Sequence, residues 1–187
     1  MKFNPLPYRY LQTLLVSIVL VFMCLAAKPF FKKPDPKPEA ITWLTLEQAE
    51  EACKKKPRKI FIDVYTDWCG WCKKMDATTF SDPNVAKYVN EKYYAVKMNA
   101  ESPESIIFKE KVYKYNASRK ANDLAIAFLN GEMSYPTTVF VDEKLNVIQP
   151  LGGYLDASEF GKIIAYFGDN VYKKKTFEEY KKGLQGN

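Results

Sequence analysis

The sequence predicts an α/β fold in which a mixed central β-sheet is flanked by helices. Apolar, β-branched runs at Lys59–Tyr65 and Tyr93–Met98 are separated by a helical segment, and a crossover of this kind makes two strands parallel. A second pair of strands, Thr137–Val141 and Val147–Ile148, is joined by the turn-rich link 142–146. A link of hairpin length makes strands antiparallel, so the sheet is predicted to contain both kinds of pairing.

Helix-start signals place the flanking helices in order along the chain. Thr45 and Gln48 form a capping-box pattern that begins a helix running towards Lys56. Asp82 followed by Pro83 begins another helix before the second strand. Two later helices begin with a capping residue and an acid three positions on, at Asp156 with Glu159 and at Thr176 with Glu179.

The stretch Glu101–Asn130 lies between the second strand and the hairpin. Most of it is typical of helix, with Ser102-Pro103 as a start signal. Apolar residues recur there at helical spacing, namely Leu124, Ala125, Phe128 and Leu129. We expect a helical insertion before the strand that begins at Thr137.

The N-terminus carries an export signal or a membrane anchor. Lys2 and Arg9 precede the uncharged run Leu11–Ala27, which ends in small residues. The run slightly exceeds a typical signal-peptide core and only just reaches the length of a membrane-spanning helix. A cleaved signal peptide and a retained anchor are therefore both open for residues 1–27, and the run 11–27 is a possible membrane tether.

The rest of the chain divides into three parts. Residues 28–40 contain four prolines among Lys, Asp and Glu, a composition typical of an extended linker with nothing to bury. Residues 41–170 are long enough for one domain with a full core. Residues 171–187 form a short helical extension. The 28 Lys and Arg residues are interspersed with 22 Asp and Glu residues, so we expect no nucleic-acid partner.

The motif that carries chemistry is Cys69-Gly70-Trp71-Cys72, at the start of a segment that is typical of helix up to about Phe80. A thiol near its free pKa of about 8.5 is only a few per cent thiolate at neutral pH, so disulfide exchange needs a site that stabilises the anion. The free amides and dipole of a helix N-terminus favour negative charge on Cys69. Cys72, one turn further on, is placed to attack the mixed disulfide, which predicts a redox-active Cys69–Cys72 disulfide.

Two cysteines at this spacing are also half of many zinc sites. The other half is missing, because the chain has no His, Cys24 belongs to the export segment and Cys53 stands alone. The spacing of Cys53 from Leu46 and Ala49 points it inward, as a buried and inert thiol. We expect no metal and no cofactor, and an inert structural disulfide stays as an alternative.

The segment Ile62–Lys73 resembles the active-site strand and helix of the thioredoxin superfamily. The resemblance extends over roughly Ile41–Phe167. It is greatest to envelope thioredoxin-like proteins and to the periplasmic catalytic domain of the transmembrane reductant-conducting proteins. It implies a thioredoxin fold.

The resemblance also implies roles for residues outside the cysteine motif. Asp63 matches the buried acid that moves the proton of the second cysteine, and Lys97 matches the lysine that accompanies this acid. Burial disfavours a carboxylate, which makes such an acid a usable proton acceptor. A purely structural buried acid and a snorkelling lysine are the alternatives.

Pro136 stands where the superfamily has a cis-proline opposite the dithiol. A cis X-Pro bond costs only about 0.5–1 kcal/mol, so a fold can use it to expose backbone to an extended substrate. Trp68 matches the aromatic residue beside the site. The expected substrate-binding residues are Trp68, Gly70, Trp71, Tyr135, Pro136 and Thr137.

Two residues depart from the superfamily pattern. Trp71 replaces the usual Pro, and strongly oxidising relatives carry His there, so the direction of exchange stays open. Tyr135 before the proline is the other departure.

The expected function is thiol–disulfide exchange on exported proteins in the periplasm or cell envelope, as a reductase or isomerase more than an oxidase. Its partners would be protein disulfides and a membrane or soluble electron donor, with the chain a monomer. One alternative is a non-catalytic protein-binding or chaperone-like module. Another is a thiol peroxidase, which would need a Pro- and Thr-rich loop around its cysteine.

Overall fold

The computed structural model describes residues 40–185. The predicted signal or anchor and nearly all of the predicted linker lie outside this range. Within it, no helix is both long and apolar enough to cross a membrane.

The described part of the chain contains nine strands, six α-helices and one short 3-10 helix, Val171–Lys173. The strands are β1 Trp43–Leu44, β2 Lys59–Tyr65, β3 Tyr93–Asn99, β4 Ile106–Phe108, β5 Lys111–Tyr113, β6 Tyr115–Asn116, β7 Ala121–Asn122, β8 Thr137–Val141 and β9 Val147–Gly152. The helices are α1 Leu46–Lys55, α2 Gly70–Thr78, α3 Pro83–Lys92, α4 Asp123–Phe128, α5 Ala157–Gly168 and α6 Phe177–Gln185.

Five strands form one mixed sheet in the order β1-β3-β2-β8-β9. Strand β3 runs parallel to both β1 and β2, whereas β8 is antiparallel to β2 and to β9. The predicted parallel crossover and the predicted hairpin are therefore both confirmed. Strand β2 is central, and six of its seven residues are buried.

The predicted caps are also confirmed. Thr45 Oγ1 accepts a hydrogen bond from Gln48 N, and Gln48 Oε1 accepts one from Thr45 N. Asp82 caps α3 with Pro83 in its first turn. Each cap satisfies an amide that the helix itself leaves free. Cys53 on α1 is 3% exposed, as its spacing indicated.

The predicted helical insertion is correct only at its end, in α4. Residues 106–122 form two small hairpins, β4–β5 and β6–β7. The first is fixed to α1, because Glu47 Oε1 accepts from Ile107 N and Glu50 Oε2 from Lys109 N. Its turn places Lys109 and Glu110 at φ 52° and 62°, where Gly or Asn is usual, so this turn has no signal in the sequence.

The two faces of the sheet carry separate cores. Alternate residues of a strand point to opposite faces. Phe61 packs with Met75 of α2 and with residues of α3 and α5. Ile60 and Ile62 pack on the other face, with α1 and α4. Asp63 shares the face of Phe61 by this alternation, so it lies on the face that α2 covers.

Candidate active site

The two cysteines of the motif lie at the N-terminus of α2, just beyond the end of β2. Their sulfur atoms are 2.01 Å apart and form a disulfide. Cys69 is the N-cap of the helix, and its Sγ accepts a hydrogen bond of 3.0 Å from the backbone N–H of Cys72. Cys69 is 4% exposed and Cys72 is 3% exposed, so exposure does not distinguish them. The backbone N–H of Cys72 does distinguish them, because it donates to Cys69 Sγ and favours a thiolate there.

Asp63 is the buried acid of the site. It is 1% exposed, and within residues 40–185 no side chain donates a well-aligned hydrogen bond to its oxygens. Burial raises the pKa of Asp63 to about 6, although Lys97 opposes the rise. The nearby carboxylate of Asp76 adds to it. A carboxyl group with this pKa can exchange protons near neutral pH.

Lys97 lies between two acids. Its Nζ is 3.3 Å from Asp63 Oδ2 and 2.6 Å from Asp76 Oδ1. Burial acts to lower the pKa of Lys97, but the two carboxylates outweigh it and the net shift is upward. The lysine is therefore a fixed positive charge beside Asp63. The structure brings together Asp63 and Lys97, as the resemblance implied.

Asp76 was missed by the sequence reasoning. It lies one helical turn after Cys72 on α2, and residues four apart share a helix face. Lys97 contacts the carboxylates of both Asp76 and Asp63, so Asp76 is linked to the buried acid through the lysine. The four-residue spacing from Cys72 could have placed Asp76 on the same helix face. Only the fold shows that Lys97 contacts Asp76.

The peptide bond between Tyr135 and Pro136 is cis. Pro136 precedes β8, which is antiparallel to β2, so it lies at the edge of the sheet where β2 ends. Its carbonyl accepts a hydrogen bond from Gly153 N. Thr137 is 2% exposed and donates its hydroxyl to Ser134 O, so its side chain does not reach the surface of the site.

Two exposed tryptophans flank the disulfide. Trp68 is 65% exposed, packs edge-on against Tyr135, and donates its Nε1–H to the carboxylate of Glu101. Trp71 is 56% exposed and packs against Tyr154, 5.4 Å between ring centroids.

Gly70 and Lys74 complete the surface around Trp71. A Cβ atom at Gly70 would meet no atom within 4 Å beyond its chain neighbours, so the surface is open there. The Lys74 ammonium lies 4.7 Å from the Trp71 ring and 5.1 Å from the Tyr154 ring. Lys74 lies three residues after Trp71, and this helical spacing was a weak indication that the two side chains are close. Glu101 and Tyr154 are distant in sequence, so no local spacing related them to the site.

No group of three His, Cys, Asp or Glu residues within residues 40–185 could hold a metal ion.

The site consists of a cysteine pair, a buried acid and exposed aromatic rings. On this fold, these features define a thiol–disulfide exchange site of the thioredoxin type. A family model described as a thioredoxin-like domain matches residues 46–168, and the chain belongs to this family.

Comparisons with known proteins agree with this assignment. The thiol:disulfide interchange protein DsbD of Haemophilus influenzae (strain 86-028NP) is 30% identical over 118 residues, which is 61% of this chain. The chain spans 17% of the length of that relative.

Two solved structures share the fold. A DsbH oxidoreductase has a TM-score of 0.52 at 17% identity, over 76% of this chain and 95% of that one. A thioredoxin from Thermus thermophilus has a TM-score of 0.53 at 18% identity, over 68% of this chain and 87% of that one.

Proposed function

We propose that this protein reduces or isomerises disulfides of exported proteins in the periplasm or cell envelope. The observation that carries the proposal is the cysteine pair at the N-terminus of α2, on the sheet face that holds a buried carboxyl group. The relation to a DsbD protein supports the choice of protein disulfides as substrates.

The first chemical step uses Cys69 in the dithiol form of the protein. Its thiolate attacks one sulfur of the substrate disulfide, forming a Cys69–substrate disulfide and releasing the other substrate sulfur as a thiolate. The Cys72 amide, which points at Cys69 Sγ in the structure, favours the attacking anion.

The second step uses Cys72 and Asp63. The Asp63 carboxylate accepts the Cys72 proton, directly or through one water molecule, and Lys97 holds positive charge beside it. The Cys72 thiolate then attacks Cys69 Sγ, which closes the protein disulfide and releases the second substrate sulfur. The substrate gains two electrons, and the protein loses two.

A donor dithiol on a membrane or soluble partner would return the protein to its dithiol form by the same exchange. We further propose residues 1–27 as the signal or anchor, 28–40 as the linker, 41–170 as the catalytic domain and 171–187 as its extension, in a monomer. The exposed side chains of Trp68 and Trp71, with Tyr135 and the Pro136 backbone, would contact the substrate.

Mixed-disulfide trapping tests the proposed function. The full chain carrying Cys72→Ala, expressed with its export segment, is expected to accumulate Cys69-linked adducts with envelope proteins, because the thiol that resolves them is missing. Adducts are detected as bands on non-reducing gels that disappear with reductant and are identified by mass spectrometry.

The matched control is the double variant Cys69→Ala/Cys72→Ala. It keeps Cys24 and Cys53, so it reports adducts that form outside the site. If the single variant captures no more than the double variant, the chain does not turn over protein disulfides and the binding-module alternative gains support.

The reduction potential of the Cys69–Cys72 pair tests the direction of exchange. We expect a value near the thioredoxin value of about −270 mV, because a reductase needs a stable disulfide form. Equilibration with glutathione redox buffers measures it. A value near about −120 mV, typical of a strong oxidant, would contradict the reductase proposal.

A further inference from the structure

The topology places opposite charges on the two sides of the disulfide. Strands β3, β2, β8 and β9 are adjacent in that order. One end of the sheet contains the last residues of β3, β2 and β9 and the first residues of β8. Glu101 follows β3, Cys69 follows β2, and Tyr154 follows β9. At about 4.8 Å per strand, the β3 and β9 positions are about 14 Å apart.

The acidic side is built around Asn99 at the end of β3. Its side chain donates to Asp67 Oδ2 at 3.0 Å and accepts from Glu101 N at 2.9 Å, which holds the two acids in one group. Both carboxylate oxygens of Glu101 lie 3.0 Å from Trp68 Nε1. Within residues 40–185 neither acid forms an ion pair, and a carboxylate retains further acceptor positions.

The basic side is Lys74 with the rings of Trp71 and Tyr154. The Tyr154 hydroxyl shares a hydrogen bond of 3.1 Å with Thr78 Oγ1, which fixes the ring over α2. The ammonium therefore lies against two aromatic faces. Lys74 is exposed and forms no ion pair with any residue of the described range, so its charge is available to a ligand.

We propose that this site selects disulfides in extended segments that carry a basic residue on one side of the reacting cysteine and an acidic residue on the other. The basic residue would meet Glu101 and Asp67, and the acidic residue would meet Lys74. Residues two before and two after a cysteine are about 14 Å apart in an extended chain, which is about the spacing of the ends of β3 and β9 that precede Glu101 and Tyr154. This inference rests on the proposed function and adds the substrate's charge pattern to it.

Isomeric peptides test the charge pattern. One has lysine two positions before its single cysteine and glutamate two positions after it, and the second has the two exchanged. A third peptide has alanine at both positions. Each has blocked termini and is supplied as a mixed disulfide with mercaptoethanol. The reduced full-length protein converts each into peptide thiol and free mercaptoethanol while closing the Cys69–Cys72 disulfide, and single-turnover rates are measured by mass spectrometry after acid quenching.

We expect one charged isomer to react at least about fivefold faster than the other at low ionic strength. In the faster isomer both charged residues face opposite charges of the protein, whereas in the slower isomer both face like charges. The ratio should approach one at about 1 M salt, where the Debye length is about 3 Å. The double variant Lys74→Glu/Glu101→Lys should reverse the preference.

Two further sets of variants keep the test decisive. Lys74→Met and Glu101→Gln should each reduce the ratio, even if the double variant does not fold. The matched control Glu51→Lys/Lys55→Glu exchanges an exposed ion pair on α1, which covers the opposite face of the sheet, and should keep the wild-type ratio. Equal rates for the charged isomers, or the same preference in the exchanged variant, would overturn the inference. Failure of the alanine peptide to react would instead count against the proposed function.

Discussion

Replacing Asp63 with Asn is expected to stabilise the folded, oxidised protein at pH 7 by about 3 kcal/mol. The pKa of Asp63 is raised from 3.8 to about 6 by burial. Each unit of such a shift corresponds to about 1.4 kcal/mol, so the ionised acid destabilises the fold by about 3 kcal/mol. The amide has nearly the shape of the neutral acid and carries no charge to desolvate.

The gain in stability should depend on pH in one direction. Below about pH 4 the acid is protonated in both the folded and the unfolded states, so wild type and Asp63→Asn differ little. Between about pH 4 and 6 the folded state binds more protons than the unfolded state, and wild-type stability falls as pH rises. Above about pH 6 the difference in unfolding free energy between Asp63→Asn and wild type reaches its full value. Urea unfolding of both proteins from pH 3.5 to 8 measures it.

The same substitution should slow resolution of the mixed disulfide by about a hundredfold, because it removes the group that accepts the Cys72 proton. The pH profile should also lose its step near pH 6. Glu51→Gln on the exposed side of α1 is the matched control and should change stability by less than about 0.5 kcal/mol. Lower stability of Asp63→Asn at pH 7 would contradict the assignment of Asp63 as a destabilising buried acid.

Replacing Phe61 with Ala is expected to cost about 3–5 kcal/mol of unfolding free energy. Phe61 is fully buried in β2, and ring centroids of four aromatic residues lie 5.4–6.3 Å away, namely Trp43, Phe80, Phe140 and Phe160. The four rings come from separate parts of the chain, so the cavity cannot close without moving several of them. Since a domain is stable by only about 5–15 kcal/mol, the loss is a large fraction of the total.

Chemical denaturation of the Phe61→Ala variant measures this cost. Phe61→Leu should lose less and keeps the measurement possible if the alanine variant does not fold. Val147→Ala on edge strand β9, where Val147 is 44% exposed, should change stability by less than about 0.5 kcal/mol. A cost below about 1 kcal/mol for Phe61→Ala would show that the aromatic cluster does not carry the core on this face.

Local sequence signals were sufficient for much of the fold. The caps at Thr45 and Asp82 are contacts between residues two or three apart, so the helix starts could be predicted without knowledge of the tertiary structure. The β-branched run of β2 is buried on both faces and therefore lacks the alternation of an edge strand. The first hairpin within residues 106–122 could not be predicted in this way, because it is held by Glu47 and Glu50 of a distant helix.

The sequence by itself determined the dithiol motif, its place at a helix N-terminus, and the identity of the buried acid through resemblance. These depend on spacing within one strand and one helix. Only the tertiary structure decided that Asp76 joins Lys97, and that Glu101 and Lys74 lie on opposite sides of the disulfide. The physical reason is that side-chain contacts across a sheet depend on strand order and register, which bring together residues that no local spacing relates.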